Sequence, residues 1–263
     1  MKVALGTVQF GMNYGVSNKE GQVSIEEVAK ILECCKSNGI TTLDTAQGYG
    51  ESESVLGQFD LSSFNIITKV MGNAILETSL EKLNLSSLYG LMFHRENECN
   101  DISWKQFEMY KNQGMVKKIG VSAYSPIVLN DLLDRYPIEI VQFPLNILDQ
   151  RFVSLLPKLK EKNVEVHTRS TFLQGLLLMR EIPTYFGQIQ DKINSIPNPK
   201  INYAIDFVKK QLDVDKIVLG VTKLKEFQEI INAYNSNVRD IDYTNFVVTD
   251  EKYINPSLWQ VKK

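Results

Sequence analysis

Between Thr41 and Gly57 the chain reads TTLDTAQGYGESESVLG. Apolar and β-branched residues lead into Asp44, the pattern of a short buried strand that ends in a carboxylate. Gly48-Tyr49-Gly50 then places an aromatic hydroxyl on a tight loop, and Ser52-Glu53 opens a helix whose first apolar anchor is Leu56. A parallel barrel presents functional groups at its mouth in this way, from strand ends and the loops behind them. The plain structural alternative is a strand–turn–helix in which Asp44 caps a turn and Tyr49 packs, so the rest of the chain must decide.

Outward from this stretch, strand and helix patterns alternate almost without interruption. Strands are predicted at Lys2–Thr7, in the quoted stretch, and at Asn65–Val70, Leu88–Phe93, Val116–Ala123, Glu139–Leu145, Glu165–Ser170 and Lys216–Val221. Ser24 and Glu27 have capping-box spacing before a helix with Ile25, Val28, Leu32 and Cys35 on its apolar face. Further helices are predicted at Leu76–Leu83, Trp104–Asn112, Ile127–Tyr136, Phe152–Lys162, Asn202–Leu212 (with Ile205, Val208 and Leu212 on one side) and Lys223–Asn235. Thr171–Lys200 is a long connection broken by glycines and prolines. Residues 238–263 show no helical period and read as a C-terminal tail packing across the body. Eight strands, each followed by a helix, without a linker or a shift in composition, predict an α/β fold: a single (β/α)8 TIM barrel spanning 1–263. A doubly wound sheet is disfavoured because no G-x-G-x-x-G follows any strand.

Composition bounds the function classes. The 263 residues are 43% hydrophobic and 23% charged with a formal charge of −2, which provides no basic footprint for nucleic acid or an anionic membrane. Three cysteines, none in a C-x-x-C, suit a reduced cytoplasmic protein better than a disulfide scaffold. The opening MKVALGTVQFG has neither the charge nor the apolar length of a signal peptide or membrane anchor.

Four polar residues fall at or just beyond successive strand ends: Asp44 and Tyr49 after the second, Lys69 on the third, His94 after the fourth. Singly, each has an ordinary explanation as a cap, a snorkelling lysine or a satisfied core histidine. Together, at one end of one barrel, they form a proton donor for a carbonyl. A tyrosine hydroxyl is a poor acid at neutral pH, a nearby ammonium would lower its pKa, and a carboxylate would hold that ammonium in place. His94 would orient the carbonyl oxygen or relay the proton. Two histidines are too few for a usual zinc site, which leaves a nicotinamide as the natural hydride source.

The runs LDTAQGYGESESVLG, ITKV, LMFH and KKIGVSA resemble the aldo-keto reductases, and the resemblance covers nearly the whole chain. It implies a (β/α)8 barrel that binds NADP(H) without a Rossmann domain, with Asp44, Tyr49, Lys69 and His94 as the catalytic tetrad. Tyr49 would be the general acid in reduction. Ser122 and Gln142 match positions that hold the nicotinamide carboxamide, whereas Ala123 stands where the family often has Asn, so one amide contact is lost; Asn146 falls close by. Arg169, in TRSTFLQGLL, stands where a Tyr commonly stacks on the nicotinamide. A guanidinium can also lie flat on a ring, or it can meet pyrophosphate or substrate. LGVTKLKEFQEIINA resembles the unit that binds the adenosine 2′-phosphate, with Lys223 in the loop and Glu229 near the adenine. Glu226 replaces a usual Arg there and Ile230 a usual Asn. The resemblance therefore points to NADP(H), with NAD(H) as the alternative. Asn13-Tyr14, Gln47 and Trp259 fall on segments that border the family's substrate mouth.

The function these residues imply is reduction of an aldehyde or ketone, a sugar-like one fitting the polar loops slightly better than a steroid. Two other readings stand beside it. Lys69 could form a Schiff base as in an aldolase, which would leave Ser122, Gln142 and Lys223 without a purpose. A cofactor-sensing regulatory subunit would have no need of Tyr49 beside Lys69. Oligomeric state is not legible in the sequence.

Overall fold

The computed structural model describes residues 1–72 and 75–260. Eight parallel strands close into a barrel in sequence order. They are β1 (Val3–Gly6), β2 (Thr42–Asp44), β3 (Asn65–Val70), β4 (Leu88–Phe93), β5 (Val116–Ser122), β6 (Ile140–Pro144), β7 (Glu165–Arg169) and β8 (Lys216–Gly220). The helices that follow them are α1 (Ile25–Ser37), α2 (Ser52–Leu56), α3 (Leu76–Leu83), α4 (Asp101–Asn112), α5 (Pro126–Arg135), α6 (Leu156–Glu161), α7 (Lys200–Lys209) and α8 (Leu224–Asn235). Every predicted strand is present. The (β/α)8 barrel expected from the sequence is the fold.

Register determines which side chains point into the barrel, since partners across parallel strands share a face and residues two apart return to it. Asp44 pairs with Ile67, and Lys69, two residues on, pairs with Met92. Ser122 pairs with Gln142, which pairs with His167. Ile67, Met92 and Ile140 pack together as a small apolar plug inside the barrel. Asp44, Lys69, Ser122 and Gln142 stand on the same inward face nearer the C-terminal strand ends. The larger apolar core lies between strands and helices, from Val3 and Leu5 round to Phe227 and Ile254.

Local differences from the expected elements have simple causes. Ser24 caps α1 by accepting the Glu27 amide N–H, but the Glu27 carboxylate turns to the start of α8 rather than completing a capping box. Ile25 on α1 is 40% exposed, and Ile31 takes its place in the core; residue 25 lies in the first turn, beyond the edge of the barrel wall. Leu212 is 86% exposed because α7 ends at Lys209, before the predicted face reaches it. The connection after β7 holds short helical turns at Leu176–Leu178, Thr184–Ile189 and Gln190–Asn194. Within the predicted tail, Phe246, Val248, Tyr253 and Ile254 are buried, and Trp259 meets Phe186 edge-on at 4.8 Å. Residues 261–263 of that tail lie outside the described residues.

Candidate active site

At the C-terminal ends of the strands a cavity of about 810 Å³ opens, within the range of small-ligand sites. Its floor is an ion pair. Lys69 Nζ donates to Asp44 Oδ1 at 2.7 Å and to the Thr45 carbonyl at 2.9 Å, and both side chains are nearly devoid of solvent contact. The second Asp44 oxygen accepts from Gln142 Nε2 at 2.8 Å. A buried pair of this kind survives only when its remaining donors and acceptors are also met. Behind it, Ser52 donates to the Thr7 carbonyl at 2.8 Å and contacts Thr45 Oγ1 at 3.1 Å, while Thr7 Oγ1 donates to the Asp44 carbonyl at 3.0 Å. Thr7 and Ser52 thus clamp the backbone segment that carries Asp44 and Thr45. Sequence reading missed this, since Ser52 has the signature of a helix start and nothing in the string pairs it with Thr7.

Tyr49 lies above the pair, with Lys69 Nζ 5.1 Å from its ring centroid and the His94 ring edge-on to it at 5.6 Å. Its loop is held by the one-turn helix Val8–Gly11. A Cβ on Gly11 would come within 1.8 Å of the Tyr49 carbonyl oxygen, and the Glu51 N–H donates to the Gly11 carbonyl. Gly50, with φ of +57°, makes the return bend that L side chains disfavour. The four residues expected to form a tetrad are therefore brought together.

Their electrostatics differ from the expectation in one respect. Burial, reinforced by the Asp44 charge, raises the Tyr49 pKa well above the ordinary phenol, and the opposing pull comes from Arg169 rather than Lys69. The Lys69 charge is already engaged by Asp44. Burial likewise lowers the Lys69 pKa, against the pull of Asp44. His94 falls to about 4 through burial and the Lys69 and Arg169 charges, so it is neutral near pH 7.

Several buried acceptors along this cavity have no partner among the described residues: Gln9 Oε1, Gln142 Oε1, Thr171 Oγ1 and Gln174 Oε1. Unmet buried polar atoms are costly, and their convergence on one cavity fits a polar, many-armed ligand such as a dinucleotide. Gln9, Thr171 and Gln174 were not singled out by sequence because their roles depend on loops after β1 and β7 that meet only in three dimensions.

Of the residues expected to hold a cofactor, Ser122, Gln142, Arg169 and Glu229 line the cavity, as do Glu226 and Ile230. Lys223 is not among the lining residues: it precedes α8, half exposed, with Nζ 2.8 Å from Glu20 Oε1. Two amide N–H groups around that helix start are taken by carboxylates. Thr222 N–H donates to Glu226 Oε2 at 2.7 Å, and Leu224 N–H to Glu27 Oε1 at 2.7 Å. Asn146 lies outside the cavity, where it ties the β6 and β7 connections by donating to the Ser170 carbonyl. Tyr14 lines the cavity and accepts from Gln174 Nε2 at 3.0 Å, whereas Asn13, Gln47 and Trp259 do not line it. Gln47 is bonded to Ile75 and Ser79, and Trp259 to Tyr253.

Comparison with known proteins agrees with this fold. The model of the aldo/keto reductase family matches residues 2–247. The structure is similar to the holo form of aldo-keto reductase AKR11C1 from Bacillus halodurans, with a TM-score of 0.76 and 18% identity over 98% of this chain and 94% of that one. It is also similar to the glycerol dehydrogenase AKR11B4 from Gluconobacter oxydans, with a TM-score of 0.67 and 17% identity over 90% and 88%. In sequence it is 21% identical over 173 residues to the uncharacterized oxidoreductase YqkF of Bacillus subtilis, a match spanning 59% of this chain and 56% of that protein. The strand-end tetrad, the barrel that carries it and the extent of the family match lead to one assignment: the chain belongs to the aldo/keto reductase family of oxidoreductases.

Proposed function

We propose that the protein reduces an aldehyde or ketone to an alcohol with a nicotinamide dinucleotide, and that Tyr49 is the proton donor. The observation that carries this reading is the buried Asp44–Lys69 pair beneath Tyr49, with His94 edge-on to the same ring. Bound in the cavity, the cofactor would supply the hydride. Ser122 and the unpartnered Gln142 oxygen would hold its carboxamide, and Asp44 fixes Gln142 in place for that task. The Tyr49 hydroxyl remains protonated at working pH, as a donor to a developing alkoxide must. Neutral His94 would hydrogen-bond the carbonyl oxygen and orient it. Lys69 would steady the phenolate left behind.

The same geometry favours reduction over Schiff-base chemistry. Lys69, about 1% exposed, gives two of its three donors to Asp44 and Thr45, and an ammonium held in such an ion pair lacks the free lone pair that attacks a carbonyl carbon. A sensing role would leave the tetrad without work to do. A cytoplasmic location and a small-molecule carbonyl partner belong to the same proposal, the first supported by three unpaired cysteines.

For the cofactor, the α8 start supports NAD(H) over the NADP(H) indicated by the sequence. A phosphate binds a helix N-terminus through free N–H groups and its positive dipole end. Here Glu27 takes the Leu224 N–H, Glu226 takes the Thr222 N–H just ahead of the helix, and Glu20 takes the charge of Lys223, so three carboxylates stand where a phosphate would bind. Carboxylates suit a ribose diol and repel a 2′-phosphate.

Calorimetric titration of the wild type and of Glu226→Gln with each dinucleotide tests both levels. NADH should bind the wild type tighter by roughly tenfold or more, the scale of one like-charge contact, and Glu226→Gln should narrow the gap. Tighter NADPH binding would overturn the cofactor assignment. Binding of neither would overturn the reductase reading.

A further inference from the structure

Two arginines are partly buried among the described residues, and they are treated differently. Arg151 meets Asp149 twice, at 2.8 and 2.9 Å, and Glu251 at 2.9 Å. Arg169 has no carboxylate partner among the described residues. Its guanidinium lies 4.0 Å from the centroid of the Tyr124 ring, with a 3.3 Å bond to the Ala123 carbonyl and a 3.5 Å contact to Ser170 Oγ. These neutral contacts hold the group without neutralising it. The platform beneath is itself fixed, because Glu96 accepts from the Tyr124 and Ser125 N–H groups at 2.9–3.1 Å.

Placement gives this charge a direction. Arg169 ends β7 on the wall of the cavity that holds Tyr49, Lys69 and His94, close enough that its field acts on all three. The one acid on that floor, Asp44, is consumed by Lys69 and Gln142. The acids Glu20, Glu226 and Glu229 line the same cavity, and two of them are bonded elsewhere: Glu20 to Lys223 and Glu226 to Thr222. A partly buried guanidinium that faces the cavity with no carboxylate bonded to it among the described residues is poised for an anionic oxygen pair, which its planar fork binds bidentately.

We propose that Arg169 is a substrate-binding residue, and that the carbonyl compound reduced here carries an anionic group, a carboxylate or phosphate, near the reacting carbon. The proposal rests on the reductase reading and deepens it. Arg169 would hold the anion while the carbonyl oxygen faces Tyr49 and His94. The hydride goes to the carbonyl carbon and the Tyr49 proton to its oxygen, with the anionic group unchanged.

Matched substrate pairs test it. Succinic semialdehyde would be compared with butanal, and glyceraldehyde 3-phosphate with glyceraldehyde, in wild type, Arg169→Met and Arg169→Lys, with NADH affinity of each protein measured by calorimetry. Wild type should favour at least one anionic member by about tenfold or more in kcat/KM, the scale of a charge-assisted hydrogen-bond pair. Which pair shows the preference separates carboxylate from phosphate. In Arg169→Met the ratio should fall toward one, chiefly through KM, and Arg169→Lys should recover part of it. No anionic preference in either pair would overturn the proposal, as would a loss of NADH affinity in Arg169→Met matching the loss of the anionic substrate, which would place Arg169 against the cofactor. Wild type that binds no dinucleotide and reduces none of the four compounds would remove the reductase reading, and the proposal with it.

Discussion

At the scale of single residues, the site works by removing water from charges and then pairing them selectively. Asp44 and Lys69 neutralise one another in a nearly dry floor, so what they present to Tyr49 is a rigid dipole rather than a free cation. His94 carries the same signature, since burial among cations holds it near 4 against an ordinary 6.5. The consequence for stability has a definite sign. Between about 6.5 and 4 the unfolded chain binds a proton at this histidine and the folded chain does not, so folding stability falls as pH drops through that window. Urea unfolding at a series of pH values should show this slope in the wild type and less of it in His94→Gln; equal slopes would mean that His94 is not held neutral. Tyr49 makes the converse prediction for catalysis. With its pKa raised by burial, reduction should show no loss of rate from Tyr49 ionisation at or below pH 10. Reduced cofactor is stable in that alkaline range, so a pH–rate profile can check it directly.

At the scale of elements, the precision of the site depends on contacts between consecutive loops. The one-turn helix after β1 presses Gly11 against the backbone of the Tyr49 loop, and Gly50 turns that loop back at positive φ. Gly11→Ala should therefore destabilise the fold by about 1–3 kcal/mol and displace Tyr49. Denaturant unfolding and turnover would both record it, and a fully stable, fully active variant would show that the loop tolerates the shift. The α8 start shows the same dependence on neighbours. Read as a string, Lys223 at a helix start is an anion site, and Glu27 is half of a capping box in another helix. Folded, Glu27 reaches across to Leu224 N–H and Glu20 binds Lys223, two contacts between residues about two hundred positions apart in sequence.

At the scale of the whole molecule, the barrel was legible because each strand is a buried apolar run punctuated by turns, and eight such runs admit few architectures. The grouping of Asp44, Tyr49, Lys69 and His94 was legible because strand ends converge on one face of a barrel, so order along the chain becomes proximity in space. What escaped were features of helix boundaries and of loop-to-loop meetings. Leu212 lies past the end of α7, Gln47 bonds to Ile75 and Ser79, and Gln9, Thr171 and Gln174 acquire a common cavity only when the β1 and β7 connections face one another. Periodicity reports a segment's own face and is silent about its neighbours. Arg169 combines both cases, since its position at a strand end was readable but its lack of an acid partner was not.

In the proposed reaction, hydride passes from a nicotinamide to a carbonyl carbon while Tyr49 protonates the oxygen. Reduction of an activated aldehyde with dinucleotide carrying deuterium at both C4 positions of the reduced ring, in wild type and Tyr49→Phe, is the decisive measurement. Deuterium is expected on the carbinol carbon of the wild-type product, and in Tyr49→Phe nearly unchanged dinucleotide affinity with turnover lost by several orders of magnitude. Cofactor oxidation without label in the alcohol, or full turnover in Tyr49→Phe, would contradict it.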